Sequence, residues 1–249
     1  MMLNKLGKVE LIRTDRNDDY TRTIDSRARD ITKCIKMNNQ LFNVLCDFIL
    51  KFTDKNEYNR AFSQWLKDVR KSNRAVKQED LEILVNTLKT AYKNSRNDRE
   101  ISDLRGRILE TIYQNELSPI YSKRGSIFDY GCKVIINEVE IKYIDGTGDF
   151  DRNRSAIDIA GYNLKKSEFY ELKVRPASFQ DNIIIYLNKL KSKAFSNEIS
   201  ENIIVGCVSL EPKTSLKNQL KIIKNKYSVD YEGLKIIGKD EIRELIKTG

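Results

Sequence analysis

The apolar residues of this chain change their spacing at the polar stretch Asn94 to Glu100, and that change constrains the fold more than any other feature. Before it they keep a helical period. Between Arg27 and Phe52, Ile31, Cys34, Ile35, Leu41, Val44, Leu45, Phe48, Ile49 and Phe52 recur mostly at three and four residues, which predicts a long amphipathic helix broken near Asn38 and Asn39. Glu57 to Val69 and Gln78 to Tyr92 predict two more. Phe62 and Trp65 have the spacing of a buried helix face rather than of a base-stacking platform. Residues 1–25 are polar and show no sustained period, so they are expected to form a loosely attached arm.

After the interruption, helices and strands alternate. Ile101 to Leu117 reads as a helix closed by Pro119. Strands follow near Lys133 to Tyr143, Ser155 to Gly161 and Glu168 to Val174. Then come a helix over Phe179 to Phe195, a buried strand over Asn202 to Leu210, a lysine-rich helix over Thr214 to Lys226, a strand over Leu234 to Ile237 and a last helix from Lys239. This order predicts the α/β (α+β) class, with a mixed sheet flanked by helices. It divides the chain into a helical N-terminal region, 1–97, expected to bind nucleic acid, a partner or a second copy, and a sheet domain, 98–249. The loop Asp145-Gly-Thr-Gly-Asp149 lacks the remainder of a nucleotide fingerprint and reads as a turn.

Within the sheet domain, Ser155 to Arg175 carries the chemistry. Two alternating runs flank a turn holding Gly161 and Asn163, the pattern of a β-hairpin. Period-two alternation puts Phe169, Glu171, Lys173 and Arg175 on one face, and Asp158 with Ala156 and Ala160, while Ile157 and Ile159 point the other way. Two carboxylates and an amine on one half-buried face suit a divalent cation, since Mg²⁺ takes one or two carboxylates plus water and phosphate oxygens. The plain alternative is a solvated ion-pair cluster.

Composition prunes the possibilities. There is no histidine, which removes Ser-His-Asp and Cys-His hydrolases and nucleases that use histidine as base or nucleophile. Without histidine, four scattered cysteines (Cys34, Cys46, Cys132 and Cys207) make no zinc site, and they read as reduced core residues. The net charge of +9 suits a polyanionic partner. No run of about 18 apolar residues is present, so no membrane span is expected, and a cytoplasmic location is the default.

The series helix, strand, Asp strand, Glu-x-Lys strand, helix, strand resembles the PD-(D/E)xK nuclease superfamily over roughly residues 101–210. Its signature here is Asp158, twelve residues, then Glu171-Leu172-Lys173. Gly106-Arg107-Ile108-Leu109-Glu110 fits the glutamate that many members carry on the preceding helix, with Glu116 as a rival. The resemblance implies a restriction-endonuclease-like core and phosphodiester hydrolysis with Mg²⁺ (or Mn²⁺). Asp158, Glu171 and the Leu172 carbonyl would hold the metal, Lys173 would position water or stabilise the phosphate, and Glu110 would be an auxiliary ligand. It also implies nucleic acid as partner, DNA ahead of RNA, a protein partner or homodimer, and a place in restriction or anti-phage defence.

The chain departs from the pattern in two places. Ile157 stands where a proline would precede the aspartate, and Gln180 is too far from Tyr186 for the Gln-x-x-x-Tyr element of some exonuclease branches. A second triplet, Glu140-Ile141-Lys142 with Asp129 upstream, competes with the first. Asp129 is expected in a turn near Gly131, and Lys142 leads into a glycine-rich loop rather than a helix. The other class of reading is a non-catalytic nucleic-acid-binding or scaffolding subunit that keeps the fold. Arg175 and Lys189, Lys191 and Lys193 beyond the hairpin are either a solvated face or phosphate contacts.

Overall fold

The computed structural model describes residues 4–14, 18–73, 76–143 and 155–248, which excludes the loop Asp145–Asp149. The chain divides into two compact units, one of residues 1–16 and 113–241 and one of residues 17–112 and 242–249.

The second unit is helical. It contains α1 (Asp19–Met37), α2 (Phe42–Lys51), α3 (Lys55–Ser72), α4 (Gln78–Lys93) and α5 (Asp98–Leu117) up to Ile112. Asp18 caps α1 by accepting from the Thr21 N–H, and Asp54 caps α3 by accepting from Glu57. The expected break is present at Asn38, whose extended backbone ends α1 and whose side chain accepts from the Gln40 N–H to start a 3-10 turn. Phe48 sits among Phe52, Tyr58, Phe62, Trp65 and Tyr92, with its ring 5.0 Å from that of Trp65. The aromatic stripe is therefore core. Trp65 also donates its indole N–H to Asp47 at 2.6 Å.

The first unit is built on a sheet. β1 (Asn4–Leu6), β2 (Val9–Arg13), β3 (Ser126–Ile136), β5 (Ala156–Asn163), β6 (Lys166–Lys173), β7 (Asn202–Ser209) and β8 (Lys235–Ile237) lie in that order, with β4 (Val139–Glu140) beside β3. Pairings are antiparallel from β1 to β6 and parallel from β6 to β8, so the sheet is mixed, and the α/β class read from the sequence is the one observed. Between β6 and β7 runs α6 (Asp181–Ser196), and between β7 and β8 runs α7 (Lys213–Tyr227). Ile183, Ile184, Leu187, Leu190, Leu216 and Leu220 from these helices pack with Val134, Ala160, Phe169 and Cys207 of the sheet in one core. On the other face, Tyr113 in the last turns of α5 meets Tyr170 at 5.5 Å between rings.

Two expectations are corrected here. The N-terminal segment is not a loose arm: Val9 and Leu11 are wholly buried, and β2 pairs with β3 from Val9↔Ile136 to Arg13↔Cys132. The strand expected from Lys133 begins at Ser126 and turns at Asn137 and Glu138, both at positive φ (52° and 68°) as a tight hairpin demands. Asp129 accordingly lies inside a strand and not in a turn. Among the described residues no helix is long and apolar enough to cross a membrane.

Candidate active site

The β5–β6 hairpin is closed locally. Asn163 Oδ1 accepts from the N–H groups of Lys165 and Lys166 at 3.0 and 2.8 Å, which holds the turn. From there the ladder runs Tyr162↔Ser167 through Ile159↔Tyr170 and then stops. One rung further the Leu172 N–H donates at 2.7 Å to Asp158 Oδ2. A side chain has taken a bond that a flat ladder would give to backbone. β6 itself continues against β7 as far as Lys173↔Ser209. The two hairpin strands part where the candidate residues stand.

The neighbouring strand adds to the opening. Continuing the β3–β5 register, Gly131 faces Asp158, and it is the rung missing between Tyr130↔Ile159 and Cys132↔Ile157. Gly131 has φ of 51°, a left-handed conformation that costs glycine little, and its carbonyl accepts from the Thr14 N–H and hydroxyl at 2.8 and 2.7 Å. Side-chain alternation slips here. Ile127 and Cys132 on β3, and Ile157 and Ala160 on β5, join the same core although even strands would send each pair to opposite faces. Ile157 was expected to point away and instead joins the core on the α6–α7 side. Bulges of this kind re-aim side chains beside functional sites.

Three of the predicted residues meet at this point. Lys173 Nζ lies 2.5 Å from Glu171 Oε1 and 3.5 Å from Asp158 Oδ2. Glu171 is wholly buried, while the Lys173 and Asp158 side chains are 25% and 20% exposed. An ammonium therefore bridges two carboxylates at the rim of a buried pocket of charge. Leu172, whose carbonyl was an expected ligand, lies between Glu171 and Lys173 with its N–H on Asp158. Opposite Glu171 on β7 is Cys207, whose thiol is pushed up by burial and by the Glu171 carboxylate, so it stays protonated and inert.

The fourth residue has partners of its own. Glu110 belongs to the helical unit, where its Oε2 is held by Arg107 Nη1 at 2.7 Å, and Arg107 Nε also binds Asp25. Its rival Glu116 is half-buried and belongs to the sheet unit. The competing triplet does not assemble. Asp129 is bound by Arg13 Nε and Nη2 at 2.9 and 2.7 Å, and Glu140 by Lys133 at 3.0 Å and Lys142 at 3.5 Å. Glu140 pairs with Ile135, so strand rise alone separates it from Asp129 by about 20 Å.

Sequence reasoning missed the support on the other face of β6. Glu168 is buried and accepts from Tyr121 and Tyr170 hydroxyls at 2.9 and 2.8 Å, and Lys166 Nζ lies 2.9 Å away. Burial, then the Glu168 carboxylate, push both phenols up. The ring of Tyr121 rests on Gly161, where a Cβ would come within 2.3 Å of it. The strand carrying Glu171 is thus braced from behind by a satisfied polar network. Charged residues at 166 and 168 on one face and at 171 and 173 on the other were the available signal.

Among the described residues, no three or more aspartate, glutamate or cysteine side chains gather as a metal cluster. Asp158 and Glu171 together still fit Mg²⁺ or Mn²⁺, which accept one or two carboxylates and complete their shell with carbonyl, water and phosphate oxygens. No protein-family model and no curated protein matches this chain.

Proposed function

We propose that this chain is a metal-dependent nuclease that hydrolyses phosphodiester bonds of nucleic acid, DNA ahead of RNA. The observation that carries the reading is the meeting of Asp158, Glu171 and Lys173 where the hairpin ladder opens. Asp158 and Glu171 supply hard oxygen ligands for Mg²⁺ or Mn²⁺, with the Leu172 carbonyl next to them in the chain. When bound there, such a cation would supply Lewis acidity toward phosphate and water. Lys173 donates from its ammonium to the attacking water or to a non-bridging phosphate oxygen, where negative charge grows as the new P–O bond forms and the old one breaks. The Leu172 N–H holds Asp158 in its rotamer. No step is assigned to Glu110, whose Oε2 is held by Arg107.

The likeness to the PD-(D/E)xK superfamily supports the same reading, and through it alone we propose a cytoplasmic restriction or anti-phage defence setting with a protein partner or second copy. A second reading, a non-catalytic nucleic-acid-binding or scaffolding subunit, is favoured by one observation: Lys173 already bridges both carboxylates, as in an ion-pair cluster. Cleavage of plasmid, linear duplex, single-stranded DNA and RNA with Mg²⁺, Mn²⁺ or EDTA separates the two. Metal-dependent cutting by the wild type, abolished by Glu171→Gln and Lys173→Ala, is the expected result. Cutting unchanged in both variants overturns the site.

A further inference from the structure

A basic cleft also lies in the sheet unit, made by elements other than those that carry the trio. The β3 hairpin returns through β4, and the Ile141 N–H still reaches the Val134 carbonyl at 3.0 Å. Continuing that register would bring Lys142 to Lys133, the rung where β5 begins with Ala156. A cleft of about 230 Å³ lies there, with Lys142, Lys189, Ser192 and Lys193 lining it beside Val139, Glu140 and Ile141.

The lysines of α6 divide between two roles. Lys189 and Lys193 are one turn apart and share a helix face, and both line the cleft. Lys191 lies between them in sequence and on the other side of the helix, where its Nζ donates to the Gly233 carbonyl at 2.7 Å. Lys142 enters from the strand side and pairs with Glu140, as does Lys133. Among the described lining residues, three lysines accompany one glutamate, which a fourth lysine shares. A serine hydroxyl adds a neutral donor. Ala156, at the cleft end of β5, is two residues from Asp158, about 7 Å of strand.

We propose that Lys142, Lys189 and Lys193, with Ser192, bind the phosphates of a nucleic-acid strand a few nucleotides from the bond held at Asp158, Glu171 and Lys173. This rests on the nuclease reading and names how its substrate is gripped. The cleft presents ammonium groups rather than base-reading amides, so it takes the strand without regard to sequence. Phosphates repeat about every 3.4 Å of duplex axis on each strand, so a backbone leaving the trio passes the cleft within about two or three nucleotides.

The test is the salt dependence of binding, measured in EDTA so that no strand is cut. Fluorescence anisotropy with labelled single-stranded DNA, duplex DNA and single-stranded RNA is read for the wild type, for K142A/K189A/K193A and for K191A. Each phosphate contact contributes about 0.7–0.9 to the slope of log K against log salt. The triple variant is expected to lose about 2–3 from that slope on the bound substrate, uniformly across sequences, with its melting midpoint unchanged, while K191A keeps the wild-type slope. Lysine-to-glutamine replacements at the same three positions give the same loss. A triple variant with the wild-type slope, or a K191A loss as large as the triple's, overturns the proposal, as does a wild type that binds none of the three probes. Cleavage assayed in parallel with Mg²⁺ keeps the two readings apart: cutting that survives with an unchanged slope sinks the cleft alone, and neither cutting nor binding sinks both.

Discussion

Replacing Lys173 by alanine tests whether the trio is built around an exchangeable cation. Glu171 is wholly buried, and the ammonium lies 2.5 Å from it. Removing one member of a buried pair costs about 3–5 kcal/mol, because a charge is left uncompensated. The Lys173 side chain is 25% exposed. Water screens part of the interaction, so a loss of about 2–3 kcal/mol is expected. In a chain of this size each kcal/mol moves the melting midpoint by about 2–4 °C, so Lys173→Ala should melt about 4–12 °C below the wild type in EDTA. A divalent cation returns the missing charge. At a hundred times its Kd it adds about 2.7 kcal/mol, which is the size of the loss. Calorimetric melts through a Mg²⁺ titration should therefore show the variant gaining more than the wild type and nearly regaining its midpoint. The double variant Glu171→Gln, Lys173→Met removes both charges and should lose less than Lys173→Ala and ignore Mg²⁺. A Lys173→Ala protein as stable as the wild type in EDTA, or one unmoved by saturating Mg²⁺, would refute the reasoning.

Three further outcomes follow from particular contacts. Asp158→Asn keeps an oxygen for the Leu172 N–H and should melt like the wild type while losing Mg²⁺ binding by titration calorimetry, whereas Asp158→Ala leaves that N–H without its acceptor and should cost about 1–3 kcal/mol. Gly161→Ala drives a methyl into the Tyr121 ring and should lower the urea midpoint by an overpacking cost of about 1–3 kcal/mol. Tyr121 and Tyr170 have folded-state pKa values raised by burial and by Glu168 above the ordinary value near 10, so the stability they confer is intact below that pH and is lost as pH rises beyond it. Their tyrosinate absorbance should appear together with the loss of circular dichroism; ionisation well before unfolding would contradict the buried network.

What the sequence by itself determined about this protein is its local structure. Period and punctuation are properties of neighbours in the chain, so the amphipathic helices, the break at Asn38 and the Asn163 turn were legible. The same alternation put Glu171 and Lys173 on one face, and the hairpin then placed Asp158 opposite them. Even the division of the lysines was available: positions 189 and 193 share a helix face and 191 does not. What failed were inferences about segments whose partners lie far away. Val9 to Arg13 is too short and mixed to declare itself a strand, and it becomes one only because Cys132 to Ile136 offers an edge. The slip at Gly131, which lets residues of both parities enter one core, depends on the Thr14 contacts to its carbonyl and follows no periodic rule. Asp129 read as a turn residue and is a strand residue, held by Arg13, which lies 116 residues earlier in the chain. Tertiary structure alone decided how closely Asp158, Glu171 and Lys173 approach, that Asp129 and Glu140 do not meet, and that Lys142 joins Lys189 and Lys193 around one cleft. Sequence spacing reports rotation about one strand or helix axis, whereas convergence of side chains depends on register and twist between elements, which non-local pairing sets.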